Sequence, residues 1–282
     1  MKIAISGATG FVGKHLIDFF SKQNIEIVPI TRDKLKLNDN EFKDYLEGVD
    51  AIFNLAGAPI IKKWSESYKK VLYSSRIDTT EKIATAIENL EKKPKVFIST
   101  SAVGIYANRA VYSEDNFEYA DDFLSKLCQD WEAKALSVKD ITKVSIFRFG
   151  IVLGRDGGAL KQMLTPFKLG LGGNIGSGKQ GFSFIHIDDL INAYDFVLKR
   201  ELEGVFNLGS PEPTDNAGLT KALGKALNRP TFLPLPEFVL NIIFGEGARV
   251  LTDGQQMLPK RLLDEGFEFK YKNINETIEA SL

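Results

Sequence analysis

Three glycines at fixed spacing, Gly7, Gly10 and Gly13, stand in the run Gly7-Ala8-Thr9-Gly10-Phe11-Val12-Gly13, directly behind the apolar stretch Met1–Ser6. Downstream, Phe11, Leu16, Phe19 and Phe20 recur at helical spacing as far as Lys22. A strand, a glycine-rich turn and a helix in that order form the phosphate-binding start of a dinucleotide fold. Gly7 lets the chain turn tightly, Gly10 removes a Cβ where the backbone must approach a pyrophosphate, and Gly13 lets the helix pack close to the strand. The helix N-terminus then offers unpaired N–H groups and a partial positive charge to the anion. Thr9, Phe11 and Val12 complete the set of expected cofactor contacts in this loop.

A second cofactor signal stands at Ile30-Thr31-Arg32. At this strand end an acidic residue binds the ribose hydroxyls of NAD, whereas an arginine accommodates the 2′-phosphate of NADP. Arg32 suits the phosphate because a guanidinium pairs with it through two parallel hydrogen bonds, although Asp33 comes directly after it. NADP(H) is therefore expected over NAD(H). Asn54-Leu55-Ala56-Gly57 ends the third strand, and the small residues Leu55, Ala56 and Gly57 would let the cofactor lie across it.

The elements that must position these residues alternate through the first half. Strands are predicted at Ile25–Ile30, Ala51–Leu55, Lys95–Thr100 and Lys143–Phe149, with helices at Phe42–Leu46, Ser65–Leu90 and Asp121–Lys139. This alternation implies an α/β fold, a Rossmann-like doubly wound parallel sheet covered on both faces, with ligands at the C-terminal strand ends. The second half is less regular. Gly150–Gly181 reads as loops over the sheet edge, with a helix near Leu160–Leu169. His186-Ile187-Asp188-Asp189 precedes an amphipathic helix, and Val205–Leu208 is a late strand. Prolines 211, 213, 230, 234 and 236 punctuate the rest of the chain, which reads as a small C-terminal α/β lobe completing a cleft. The expected division is a nucleotide-binding domain over 1–210, with substrate-lobe insertions from about 150, and a small domain over 235–282.

Bulk properties narrow the setting. The 282 residues carry 36 basic and 37 acidic side chains, a formal charge of −1 that gives no electrostatic case for nucleic acid or an anionic membrane. The single cysteine, Cys128, forms no intrachain disulfide, and His15 and His186 lie too far apart for a local metal motif. No apolar run is long enough to span a bilayer, and the chain enters a strand at once without a secretion signal. A cytoplasmic protein without metal is the expectation.

Taken together, Gly7–Gly13, Asn54–Pro59, Ser75-Arg76, Ser99–Tyr106, Asp121–Glu132, His186–Asp189 and the tail Gly245–Gly266 resemble an atypical extended short-chain dehydrogenase/reductase of the NAD-dependent epimerase/dehydratase kind, with a C-terminal DUF1731-type domain. That superfamily commonly pairs through its long helices, so a homodimer is the assembly to expect. Its usual catalytic pair is a tyrosine with a lysine four residues on. None of the eight tyrosines here has a lysine at that spacing, and the two places fall on Leu124 and Cys128. The resemblance further implies Ser101 as the retained serine and Arg76 where asparagine is usual.

What remains for proton chemistry is Ser101, Tyr106 and Cys128. Ser101 can hydrogen-bond a substrate carbonyl. Tyr106 either faces the cleft or packs as a core aromatic. Cys128 acts only if nearby charge lowers its pKa, and is otherwise inert packing. Arg76 clamps a carboxylate or phosphate of the substrate, or pairs with a neighbouring helix. His186 is a further substrate contact, or a hydrogen-bonded structural histidine. Two functions are consistent with this set: an NADP(H)-dependent oxidoreductase or epimerase acting on a small polar substrate by hydride transfer, or a non-catalytic NADP(H) sensor, which the absent tyrosine–lysine pair favours. In the first, the glycine-rich Gly150–Gly181 region would serve as a closing lid.

Overall fold

A computed structural model describes residues 1–108 and 110–282. The first half runs β1 (Lys2–Ser6), α1 (Phe11–Ser21), β2 (Glu26–Ile30), α2 (Asp39–Leu46), β3 (Ala51–Asn54), α3 (Glu66–Asn89), β4 (Val96–Ala102), β5 (Val111–Tyr112), α4 (Phe123–Leu136) and β6 (Lys143–Phe149). The second half continues with β7 (Ile151–Leu153), α5 (Gly158–Lys168), β8 (Gly181–Phe182), β9 (Phe184–His186), α6 (Ile187–Arg200), β10 (Gly204–Leu208), β11 (Thr214–Asp215), α7 (Asn216–Leu227), α8 (Glu237–Phe244), α9 (Arg249–Thr252), β12 (Gln256–Met257), α10 (Lys260–Asp264) and α11 (Ile274–Ala280).

Six strands form one parallel sheet in the order β10-β6-β4-β3-β1-β2. Parallel strands covered on both faces are apolar throughout rather than alternating, and Ala51–Asn54 is buried at every position. Successive residues serve opposite layers. Ile3, Ile5, Phe53, Ile98 and Phe147 pack beneath α1 and α6, while Ala4, Ile52, Phe97 and Ile146 pack beneath α2, α3 and α4. The chain leaves β1 towards β2 and then returns to its other side at β3. The switch of direction therefore opens a crevice between the C-terminal ends of β1 and β3, where doubly wound sheets take their ligands. The expected α/β fold and its main strands are thus observed.

In the second half the expected helix near Leu160–Leu169, the helix that follows His186 and the late strand Val205–Leu208 are observed as α5, α6 and β10. The Gly150–Gly181 region is loop chiefly over 169–180; ahead of α5 the chain forms a strand that the sequence reading does not include. Its β7 pairs in parallel with β9, and Leu160 and Phe167 of α5 are buried with Phe184, Leu219 and Ile278 in a separate core. Glycine richness there serves packing. Phe11 of α1 lies against Gly154, Gly157 and Gly158, where an added Cβ would come within 3.0, 2.6 and 3.1 Å of its ring. The expected lid is therefore pinned at its root to the glycine-rich turn.

Two of the three turn glycines are forced by the backbone. Gly7 has φ +68°, and a Cβ there would stand 2.9 Å from the Leu55 carbonyl. At Gly13 a Cβ would strike the Gly7 carbonyl oxygen and lie 2.9 Å from the Ala8 Cα. Backbone atoms cannot swing aside, so Gly13→Ala is expected to lower stability by about 1–3 kcal/mol, the cost of overpacking a tight contact. Urea unfolding measures this; a midpoint equal to the wild type would contradict the close approach of α1 to the turn.

Candidate functional site

The crevice between β1 and β3 is lined by backbone. Gly10 is exposed, and α1 begins there with no side-chain cap and no acidic residue in its first turn. Its amide end therefore has no side-chain partner, a geometry that suits an anion. Across the crevice Ser6 fixes the end of β3: its hydroxyl donates to Asn54 Oδ1 at 2.6 Å and accepts from the Leu55 and Ala56 amides at 3.0 and 3.1 Å. Asn54 donates onward to Thr80 Oγ1 at 2.7 Å, which also accepts from Trp131 Nε1 at 2.9 Å and donates to the Arg76 carbonyl. One buried network thus ties β1, β3, α3 and α4 around the place where Leu55, Ala56 and Gly57 emerge. Arg32 lies beyond β2, exposed and without a hydrogen bond or ion pair among the described residues. The residues present fit a dinucleotide: an uncapped helix end, glycines with no room for side chains, and a free cation beyond β2.

Arg76 stands apart. Its guanidinium donates to the Leu72 carbonyl and to the Ala58 carbonyl, each at 3.1 Å, and lies 5.3 Å from the Trp131 ring. No acidic group pairs with it among the described residues, so the ion pair considered from sequence is not formed. Burial pushes its pKa below the usual arginine value. Gly57 makes the arrangement possible, since a Cβ there would sit 3.0 Å from the guanidinium carbon.

The three proton-transfer candidates are placed otherwise. Ser101 is 1% exposed and donates its hydroxyl proton to Glu132 Oε1 at 2.7 Å, which leaves none for a substrate carbonyl. Arg148 grips both oxygens of the same carboxylate, through Nε and Nη2, each at 2.8 Å. Its Nη1 donates to the Tyr106 hydroxyl at 2.8 Å, which donates to Asn207 Oδ1 at 2.6 Å. Tyr106 is fully buried and does not face the cleft; burial pushes its pKa up to about 12. Burial works against the Arg148 charge, but hydrogen bonding and attraction from Glu132 outweigh it and raise its pKa. Cys128 is likewise buried. Loss of solvent, then the Glu132 charge, push its thiol up to about 12 against the weaker pull of Arg76. It occupies the lysine place as a neutral group.

His186 is also structural. It caps α6, its Nδ1 accepting from the Asp188 amide at 3.1 Å, and its ring lies 4.1 Å from that of Tyr271. Burial lowers its pKa, against the opposing pull of the Asp188 carboxylate. The sequence reading does not single out the Glu132–Arg148 pair or Asn207, which tie Ser101 and Tyr106 together. The available signal was Arg148 itself, a charge in the middle of the apolar strand Lys143–Phe149, which requires a buried partner. Among the described residues no cluster of His, Cys, Asp and Glu could hold a metal, and no helix is long and apolar enough to cross a membrane.

Known proteins share both the sequence and the fold. Residues 3–209 match the NAD dependent epimerase/dehydratase family and residues 235–281 the domain of unknown function DUF1731. The chain is 38% identical to the chloroplastic epimerase family protein SDR39U1 homolog of Arabidopsis thaliana, over 99% of this chain and 86% of that protein. It is 35% identical to human epimerase family protein SDR39U1 over 99% of each. The crystal structure of the human protein with NADPH superposes with TM-score 0.92 at 34% identity, covering 100% of this chain and 99% of that one. UDP-glucuronic acid 4-epimerase from Bacillus cereus, at 18% identity and TM-score 0.80 over 100% of this chain and 98% of that one, shares the fold.

A thiol held near 12 is almost wholly protonated at neutral pH, and this one is also buried. Cys128 is therefore expected to resist a disulfide reagent such as DTNB at pH 8 in the folded protein and to react fully in urea. Rapid labelling of the native protein would contradict its assignment as packing.

Proposed function

We propose, from the premise that this chain belongs to the NAD dependent epimerase/dehydratase family, that it binds NADP(H) and transfers hydride to or from a small substrate carrying an anionic group. The observation that carries this reading is the Arg76 guanidinium, half-buried beside Gly57 with two carbonyl contacts and no counter-charge among the described residues. A cation partly withdrawn from water gains from a partner, and an incoming carboxylate or phosphate supplies one in two parallel hydrogen bonds.

The chain's own residues would divide the work. Gly7, Gly10 and Gly13, with the amides of Thr9, Phe11 and Val12, would take the pyrophosphate at the head of α1. Arg32 would take the 2′-phosphate, in keeping with the NADPH in the human relative's structure. Leu55, Ala56 and Gly57, fixed by Ser6, would form the wall at the end of β3. The cofactor, when bound, supplies or accepts the hydride. Arg76 would orient the substrate and offset negative charge as it develops. Ser101, Tyr106 and Cys128 hold the surrounding frame, so a proton needed by the substrate would come from solvent.

A second reading, an NADP(H) sensor without turnover, is favoured by one observation: both hydroxyls are committed to the Glu132–Arg148 pair and the thiol is held neutral. Deuterated NADPH incubated with the protein and a metabolite extract separates the two. Mass spectrometry is expected to show label in one anionic metabolite. Arg76→Met should reduce the transfer about tenfold to a hundredfold, as for a lost charged hydrogen bond, with NADPH affinity retained. Tight NADPH binding without any label would overturn hydride transfer in favour of sensing.

A further inference from the structure

Of the fifteen large hydrophobic side chains left exposed among the described residues, eight lie in just two segments, 169–171 and 232–243. Phe232, Phe238 and Ile242 are the extremes, at 73%, 63% and 72% exposed. The segments form one surface. Leu235 donates to the Asn174 carbonyl at 2.8 Å, Gly176 to the Leu235 carbonyl at 2.9 Å, and Leu233 to the Gly172 carbonyl at 3.3 Å. Between Phe232 and Phe244 the only charge is Glu237, and hydrogen-bonding side chains are nearly absent.

The position of this surface relates it to the site. Helix α8 begins beside the 172–176 segment, where Glu237 packs on Gly176. Its other end meets the loop that leads from β3 to α3. There a Cβ on Gly247 would strike the Lys62 carbonyl and come within 2.9 Å of the Trp64 ring, and Glu246 pairs with Lys69 at 2.5 Å. The same loop carries Gly57 and Ala58, which hold Arg76. One stretch of chain, 57–64, thus joins Arg76, a cation with no acidic partner among the described residues, at one end to an apolar helix at the other.

We infer that the substrate is an amphiphilic anion: its carboxylate or phosphate meets Arg76, and an extended apolar tail lies on the wall made by Leu169, Leu171, Phe232, Phe238, Ile242 and Ile243. This deepens the reading of Arg76 given above and rests on it. A polyhydroxylated substrate is disfavoured, because its hydroxyls would lose water against side chains that offer no hydrogen bond. An aliphatic or aryl tail instead gains with each carbon covered.

The test is calorimetric titration of the full-length protein, with and without NADPH, using dodecanoate, butyrate and UDP-glucuronic acid as probes. Dodecanoate is expected to bind at least about tenfold more tightly than butyrate, as burial of added methylenes requires. Phe238→Asp and Ile242→Asp, both at exposed positions, should each remove most of that advantage while the affinity for NADPH and the unfolding midpoint stay at wild-type values. Arg76→Met should weaken dodecanoate and leave dodecanol unaffected. Equal binding of dodecanoate and butyrate, a preference for UDP-glucuronic acid, or wall variants that bind dodecanoate normally would overturn the inference. So would a wild-type dimer that Ile242→Asp converts to monomer without any dodecanoate binding, which would assign the surface to a second copy of the chain. Failure to bind NADPH would instead strike the functional reading, since the dodecanoate titration without NADPH reports on the wall independently.

Discussion

The carboxyl edge of the sheet hangs on the two oxygens of Glu132. Arg148 holds both of them at 2.8 Å, and Ser101 donates to one of them at 2.7 Å. Both charged side chains are buried, so neither can recover its lost hydration from solvent. The pair must then be satisfied from within, and the fold does this by recruiting hydroxyls. The third guanidinium nitrogen, Nη1, donates to Tyr106, whose own proton goes to Asn207 on β10, and Asn207 in turn donates to the Leu258 carbonyl. A single line of hydrogen bonds therefore joins α4, β4, β6 and β10 to the C-terminal segment.

That commitment explains the character of the site. Residues that would serve as acids in an open cleft are used as struts, and Cys128 sits between them as a neutral filler. The charge available for a ligand comes instead from α3. Arg76 can lie at the end of β3 only because residue 57 has no side chain, and its position is held by carbonyls rather than by acids. The glycine-rich turn imposes a similar constraint on the other side of the crevice. Phe11 fills a hollow made by Gly154, Gly157 and Gly158, so α1 and the β7–α5 connection are set as one piece.

Local pattern made the first half of the chain legible. Apolar runs of strand length, helical spacing and a glycine turn are all short-range signals, and they located the sheet strands and the Gly7–Gly13 cradle within a few residues. Partnerships were not legible. Nothing in the order of residues shows that Arg148 meets Glu132, sixteen positions earlier on a different element, or that Tyr106 points inward. The choice between reading Tyr106, Cys128 and His186 as chemistry or as structure depended on burial, which tertiary packing decides. In the second half, glycine content suggested loops, whereas the parallel pairing of β7 with β9 brings together residues more than thirty positions apart. Arg76 was visible as a cation, but its lack of a counter-charge among the described residues was not.

The most direct test of the Glu132–Arg148 frame is a double-mutant cycle on the two residues, read by urea unfolding with NADPH affinity measured on each protein. Glu132→Gln and Arg148→Met should each cost about 3–5 kcal/mol by stranding a buried charge or donor, and the double variant should cost much less than their sum. NADPH affinity should stay near the wild-type value in every variant that remains folded. Additive, small stability losses, or a loss of NADPH affinity at unchanged stability, would contradict the claim that these residues form the frame of the site rather than its chemistry.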